Sequence, residues 1–243
     1  MHELKTMDMA EFKTWLDKQK VKRKIKLIQL HHTYSPSYKH FDGSNHLTLH
    51  QNMKNYHVNT NGWNDIAQNF TIFPDGKIVP GRPLDKTPAG IYGANTNGIC
   101  IECVGNFDAG GDVLTSSQQC AITGVLSLLL KKFGLDAQSG ITYHAWWNSS
   151  GKNLGDFVLG KSVKTCPGTA FFGGNTRKAF EENLLPLLSE SATKEVTEAN
   201  DIVWELSNAK IITDGNLWLE KCKSDTNVYW LCRKMANYLR GTL

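Results

Sequence analysis

The chain has 243 residues, 40% of them hydrophobic and 21% charged, with a formal net charge of +4. That length admits one large domain, or a medium domain with a small companion, and the composition is that of a folded protein rather than a disordered one. The mild charge gives no basis for nucleic-acid binding, and no stretch nears the roughly 18 apolar residues that cross a bilayer.

Residues 8–19 read as a short amphipathic helix with Phe12, Leu16 and Met9 on one side. The basic run 20–26 has no interleaved aromatics and reads as a solvated approach to a buried strand at 24–32, which ends in His31-His32-Thr33. Residues 33–45, rich in Ser, Pro, Tyr and Gly, form a loop. A helix is expected over 46–58, and Asn61-Gly62 breaks the chain. Residues 68–73 and 77–80 read as a hairpin around the turn Pro74-Asp75-Gly76. Another buried strand follows at 98–104. It contains the pair Cys100 and Cys103, which alternation sends to opposite faces.

Thr115 and Gln118 have the spacing of a capping box, opening a helix that runs to about 133 and ends at Gly134. Residues 140–144 form a short strand. The Gly- and Asn-rich loop 145–163 carries Trp146, Trp147 and Phe157, either as a groove wall or as a plug on the sheet edge. A closing helix is expected over 175–189. These elements predict an α/β domain over 1–189, with a mixed central β-sheet flanked by helices.

Composition then shifts. Residues 190–196 read as a linker, and 197–243 as a small all-helical module with helices at 197–209, 214–223 and 226–240. Val228, Leu231, Met235 and Leu239 fall at helical spacing in the last. About 50 residues is marginal for an independent core, so the module leans on the main domain or self-associates, and the oligomeric state stays open. Trp204, Trp218 and Trp230 serve either to pack this bundle or to stack on the sugar rings of a glycan.

The six cysteines are scattered, which fits a reducing compartment better than a disulfide framework. The polar N-terminus lacks the apolar core of a signal peptide, so synthesis in the cytoplasm is expected. The chemistry concentrates in Lys164-Thr165-Cys166-Pro167, with His144 upstream and His31-His32 far away in sequence. Two imidazoles and one thiolate from three separate places, with a fourth position open to water, are what a catalytic zinc site needs. A structural site would close all four positions, usually with close pairs. Strand parity alone does not choose between His31 and His32.

Several ordered pieces resemble one family. They are Ile-Gln-Leu-His-His-Thr (28–33), Trp63-Asn-Asp, Phe70-Thr-Ile-Phe-Pro-Asp-Gly76, Pro80-Gly-Arg82, Asn95 through Gly98-Ile-Cys-Ile-Glu102, Val104-Gly-Asn-Phe107, His144 and Lys164-Thr-Cys-Pro167. Over about residues 24–185 the chain is similar to the zinc-dependent type 2 N-acetylmuramoyl-L-alanine amidases related to peptidoglycan-recognition proteins. The resemblance implies a mixed sheet with flanking helices and one zinc ion held by His31, His144 and Cys166. The implied reaction is cleavage of peptidoglycan between N-acetylmuramic acid and the first L-alanine of the stem peptide.

The resemblance also gives Lys164 a catalytic role, which fits a cation that steadies the charge developing on the carbonyl oxygen. Glu102 lies in an apolar strand, where a carboxylate needs work or a partner. It is a candidate general base, or else the partner of Arg82 or Lys164. Two positions depart from the pattern. A tyrosine found in certain phage amidases is matched here by Gln68, and a histidine often found before Asn95 is absent, with Ile91 and Tyr92 in that region. Glutamine is no general acid, so proton delivery would fall to Glu102 or Lys164. The expectation is a phage or prophage endolysin that acts on the wall after release at lysis. The alternatives are a non-catalytic peptidoglycan-binding module of the same fold and a cytosolic muropeptide-recycling amidase.

Overall fold

Two apolar strands, β1 (Leu27–His32) and β4 (Gly98–Cys103), pair in parallel from Leu27 opposite Gly98 to His32 opposite Cys103. Both are largely apolar because both faces of the sheet are covered, as parallel strands require, apart from Gln29, His31, His32 and Glu102. In this computed structural model, which describes residues 4–188, 202–203, 206–207, 210–224, 228, 231–232, 235–236 and 239, three short strands complete the sheet. They are β2 (Phe70–Ile72), β3 (Ile78–Pro80) and β5 (Ile141–Tyr143), in the order β3-β2-β4-β1-β5. Among these five strands only the β2–β3 pair is antiparallel. The mixed sheet with flanking helices is therefore as the sequence predicts.

Helix α1 (Met9–Asp17) opens with a full capping box between Asp8 and Glu11 and buries Phe12 and Leu16. Phe12 meets Phe70 of β2 edge-on at 5.1 Å. Arg23, in the basic run, is not simply solvated: its guanidinium donates to the carbonyls of Leu84 and Gly98. Helix α2 (His46–Asn55) widens into a π turn over Tyr56–Thr60.

Helix α3 (Ser116–Phe133) begins where the capping signal puts it, with the Gln118 amide donating to Thr115 Oγ1 at 3.0 Å, and Gly134 closes it in the left-handed conformation. The reciprocal half of the box is not formed. The Gln118 side chain donates instead to the carbonyls of Ile72 and Val104, each at 3.0 Å, and accepts from Tyr38 Oη. It sutures the helix to the sheet, and those buried carbonyls outcompete the helix start for it.

A short helix α4 (Ala137–Gly140), capped by Asp136, precedes β5 and was not foreseen. The expected closing helix is replaced by one α turn, α5 (Arg177–Ala179), then a π turn Phe180–Leu184 and a 3-10 turn Leu185–Leu188. Pro186 supplies no N–H and its ring crowds the carbonyl four residues back, so a continuous α ladder fails there.

Beyond the domain, helix α6 (Gly215–Ser224) shares a cluster in which Ile202, Leu206, Leu219 and Cys232 surround Cys120 of α3. The C-terminal segment thus leans on the main domain. In its last part Cys232 and Ala236 are buried, Val228 and Met235 pack partly buried against the same cluster, and Leu231 and Leu239 are exposed, so half of the expected four-residue stripe faces the core. Trp218 packs beside the cluster. The expected linker 190–196, the start of the first helix, Trp204 and Trp230 lie outside the described residues. Among the described residues no helix is long and apolar enough to cross a membrane.

Candidate metal centre and cleft

Sheet register decides what the sequence left open about the two histidines. His31 lies opposite Glu102, Glu102 opposite Thr71, and Gln29 opposite Thr142. Residues facing one another across strands, and those two apart along a strand, share a face. Gln29, His31, Thr71, Glu102 and Thr142 therefore form one polar stripe, and His144, two residues beyond Thr142, joins it. His32 falls on the other side, where its Nδ1 accepts the Phe107 amide at 3.1 Å.

Three electron-pair donors meet at the end of this stripe. His31 Nδ1 is 3.3 Å from His144 Nδ1 and 3.5 Å from Cys166 Sγ. The ligand atoms of His31, His144 and Cys166 all lie within 4.8 Å of one another. Cys166 comes from the loop after β5, and its carbonyl accepts the Ala145 amide at 2.7 Å, so the second and third ligands are tied together by backbone. The His31 ring is held from behind: Nε2 faces Gln29 Oε1 at 3.5 Å, and that oxygen accepts the Ile91 amide at 3.0 Å. This leaves Nδ1 for the cleft, as outer hydrogen bonds do for metal-binding imidazoles.

The donor set fits zinc. Tetrahedral ligands at zinc's usual bond lengths stand about 3.3 Å apart for two nitrogens and about 3.6 Å for nitrogen and sulfur, close to the two separations from His31 Nδ1. Three lone pairs facing one another are repulsive unless a cation or protons lie among them. Protons are disfavoured on the rings. Burial, then the neighbouring His144 and Lys164 charges, hold His31 well below the ordinary histidine range. Burial and Lys164 bring His144 down to about 4. Burial pushes the Cys166 thiol up, with Glu102 adding to it. Neutral imidazoles are ready for a metal, while Cys166 would have to give up its proton on binding.

Glu102 stands beside this centre with Oε1 3.9 Å from His31 Nδ1. Burial raises its carboxyl to about 8, with the Lys164 charge opposing. Its Oε2 is buried and has no hydrogen-bond partner among the described residues. Arg82 is not its partner: that guanidinium donates to the carbonyls of Ile66, Thr87 and Asp65 at 2.7–3.1 Å. Lys164 lines the same cleft, together with His31, His144, Cys166, Glu102 and Gln68.

The cleft has a volume of about 800 Å³ and opens past Tyr34, Tyr56 and Trp63. Trp63 belongs to one of the quoted motifs. Tyr34, in a loop, and Tyr56, in the π turn that continues α2, were missed, because an exposed tyrosine carries no sequence signal of its own. The two tryptophans expected as groove-wall candidates are structural. Trp146 is fully buried and donates to the Asn175 carbonyl, Trp147 is nearly so and donates to Thr142 Oγ1, and Phe157 packs on the same core. The plug reading holds because both indole N–H groups find buried acceptors.

The model of the N-acetylmuramoyl-L-alanine amidase family matches residues 21–169, more than half of the chain, and the protein belongs to that family. Peptidoglycan-recognition protein SC2 of Drosophila melanogaster is 37% identical over 81 residues, which is 33% of this chain and 43% of that protein. The N-acetylmuramoyl-L-alanine amidase of Homo sapiens is 34% identical over 82 residues, 34% of this chain and 14% of that one. An endolysin of Enterobacteria phage K11 is 34% identical over 68 residues, 27% of this chain and 45% of that protein. The chain thus spans less than half the length of each of these relatives. Among solved structures, Drosophila PGRP-LB superposes with a TM-score of 0.51 at 19% identity, over 72% of this chain and 85% of that one. Bumblebee PGRP-SA superposes with a TM-score of 0.51 at 20% identity, over 73% and 94%. They share the fold.

Proposed function

We propose that the protein is a zinc-dependent N-acetylmuramoyl-L-alanine amidase that hydrolyses the amide between N-acetylmuramic acid and the L-alanine of the stem peptide. The observation that carries this reading is the meeting of His31, His144 and Cys166 beside an unpaired Glu102, at the end of a cleft in a chain of the amidase family. His31 and His144 bind as neutral imidazoles and Cys166 as a thiolate. Bound there, zinc activates water and polarises the scissile carbonyl.

The chain's own residues do the rest. Glu102 accepts a proton from the attacking water at its free oxygen. It then returns that proton to the alanine nitrogen as the C–N bond breaks, leaving a lactyl carboxylic acid and a free amine, between which the acid proton then passes to give carboxylate and ammonium. A carboxyl raised to about 8 suits both halves of that exchange near neutral pH. Lys164 offsets the negative charge that builds on the carbonyl oxygen. The likeness to the phage K11 endolysin supports an endolysin role, with synthesis in the cytoplasm and action on the wall after lysis. In that role residues 197–243 strengthen attachment to the wall.

Digestion of purified peptidoglycan, followed by mass analysis, tests the reading. Stem peptides with a free N-terminal L-alanine should appear, vanish with a chelator and return with zinc. Several relatives are named for peptidoglycan recognition, so binding to the wall without any cleavage, by zinc-loaded protein, would replace this proposal with the binding-only reading.

A further inference from the structure

Gln68 is fully buried at the floor of the cleft, just before β2. Its amide nitrogen is used: Nε2 donates to Thr71 Oγ1 at 3.0 Å and contacts Met53 Sδ at 3.9 Å. Thr71 Oγ1 in turn lies 2.9 Å from His50 Nδ1. Burial holds that ring's pKa near 4, so it is neutral. With Gln68 Nε2 donating to the Thr71 hydroxyl, which itself lies against the His50 ring nitrogen, the amide nitrogen is spent on this run and the amide oxygen is left outside it. That oxygen, Oε1, is buried and has no partner among the described residues. The backbone around it is fixed. The Arg82 amide donates to the Gln68 carbonyl, and the neighbouring Asn69 side chain bonds both the Cys100 amide and the Arg82 carbonyl.

Two acceptor oxygens thus go without donors along one cleft, Gln68 Oε1 and Glu102 Oε2. A buried acceptor without a donor is unfavourable, and one in a residue that lines a cleft is open to a donor on a ligand or a water. The attacking water supplies the donor for Glu102. An amide substrate brings one more donor next to the reacting carbon, its own N–H.

We propose that Gln68 is a substrate-contacting specificity residue whose Oε1 accepts the N–H of the scissile amide. This rests on the amidase reading and deepens it. With the N–H held by Gln68, the nitrogen lone pair that forms as the carbonyl is attacked has a fixed direction. Protonation then falls on the side facing Glu102. An ester, with oxygen in place of that N–H, gains nothing from Gln68 and meets its lone pairs instead. The site is thereby selective for amides beyond what carbonyl activation alone provides.

The test uses the full chain loaded with zinc and a matched pair of synthetic substrates, an N-acetylmuramoyl-L-alanyl amide and the corresponding ester. Gln68→Met keeps the volume and removes the acceptor. It should lower kcat/KM for the amide roughly 10-fold to 100-fold, the range expected when a buried donor loses its partner. The ester should change by no more than about twofold. Equal losses on both substrates, or no loss on the amide, would overturn the proposal. Gln68→Glu keeps an acceptor oxygen and should retain the wild-type preference for amide over ester. If Gln68→Met fails to fold or to hold zinc, loss of that preference in Gln68→Glu overturns the idea. Wild-type protein that cleaves neither substrate fails the amidase reading itself, a result distinct from an active wild type that is indifferent to Gln68.

Discussion

Replacing Glu102 by glutamine in metal-free protein should change how stability depends on pH. The folded carboxyl sits at about 8 against an ordinary value of 4.5, raised by burial. A raised folded-state pKa means that the native chain binds the proton more tightly than the unfolded one. The resulting stabilisation is complete below about pH 4.5 and is lost as pH rises through about 8. The shift corresponds to at most about 5 kcal/mol. The side chain keeps 17% of its surface exposed to a wet cleft, so about 2–4 kcal/mol is the sensible expectation once water screening is counted.

Urea unfolding of chelator-treated wild type and Glu102→Gln between pH 5 and pH 9 reads this directly. With a slope of about 3 kcal/mol/M, the wild-type midpoint should fall by about 1 M more than that of the variant across the range. Other groups titrate in both proteins and largely cancel in the difference. Parallel curves would show that Glu102 exchanges no proton in this window, and its assignment as the proton carrier would fall with them.

The proton account also predicts calorimetry. Zinc added to metal-free protein at pH 7 should release one proton from Cys166 and a further fraction from Glu102, and none from the neutral His31 and His144; titration in buffers of different ionisation heat counts them, and no release would contradict thiolate ligation. In Glu102→Gln the count should drop toward one, while zinc content is kept and turnover falls by roughly 10²–10⁴; near-normal turnover would return Glu102 to a structural role. Cys166→Ser should lose zinc and activity yet keep a cooperative unfolding transition, so an active, metal-loaded variant would refute the ligand set. Deleting 190–243 should spare turnover on small muropeptides and weaken binding to intact sacculi. Undiminished sacculus binding would remove the attachment role.

The sheet and its site were legible in the sequence to different depths. Apolar runs ending in histidine, the Pro74-Asp75-Gly76 turn and the Thr115 cap are local signals, and each marks an element now seen. The choice between His31 and His32 needed register, a property of strand pairs rather than of one strand. Gln118 and the closing segment depart from expectation for related reasons: a cap signal does not reveal a stronger buried competitor, and the helix expected over 175–189 runs through Pro186, where the ladder breaks. Trp146 and Trp147 sit in a loop by sequence, yet the acceptors that bury them, the Asn175 carbonyl and Thr142 Oγ1, come from elsewhere in the fold. The unpaired oxygens of Gln68 and Glu102 are invisible without coordinates, because what marks them is a missing neighbour.

The same two tryptophans settle where this architecture has room to change. Leu154 donates its amide to the Trp146 carbonyl at 2.7 Å, and Val163 donates to the Trp147 carbonyl at 3.0 Å. The excursion 155–162 therefore leaves and returns at adjacent points of a buried anchor. Its tip carries Leu159, 88% exposed, and Gly160, with open space around it. Because both feet are pinned before the chain reaches Lys164 and Cys166, added length at 159–160 need not be felt by the ligands. An engineer has there a place to lengthen the chain or graft a peptide.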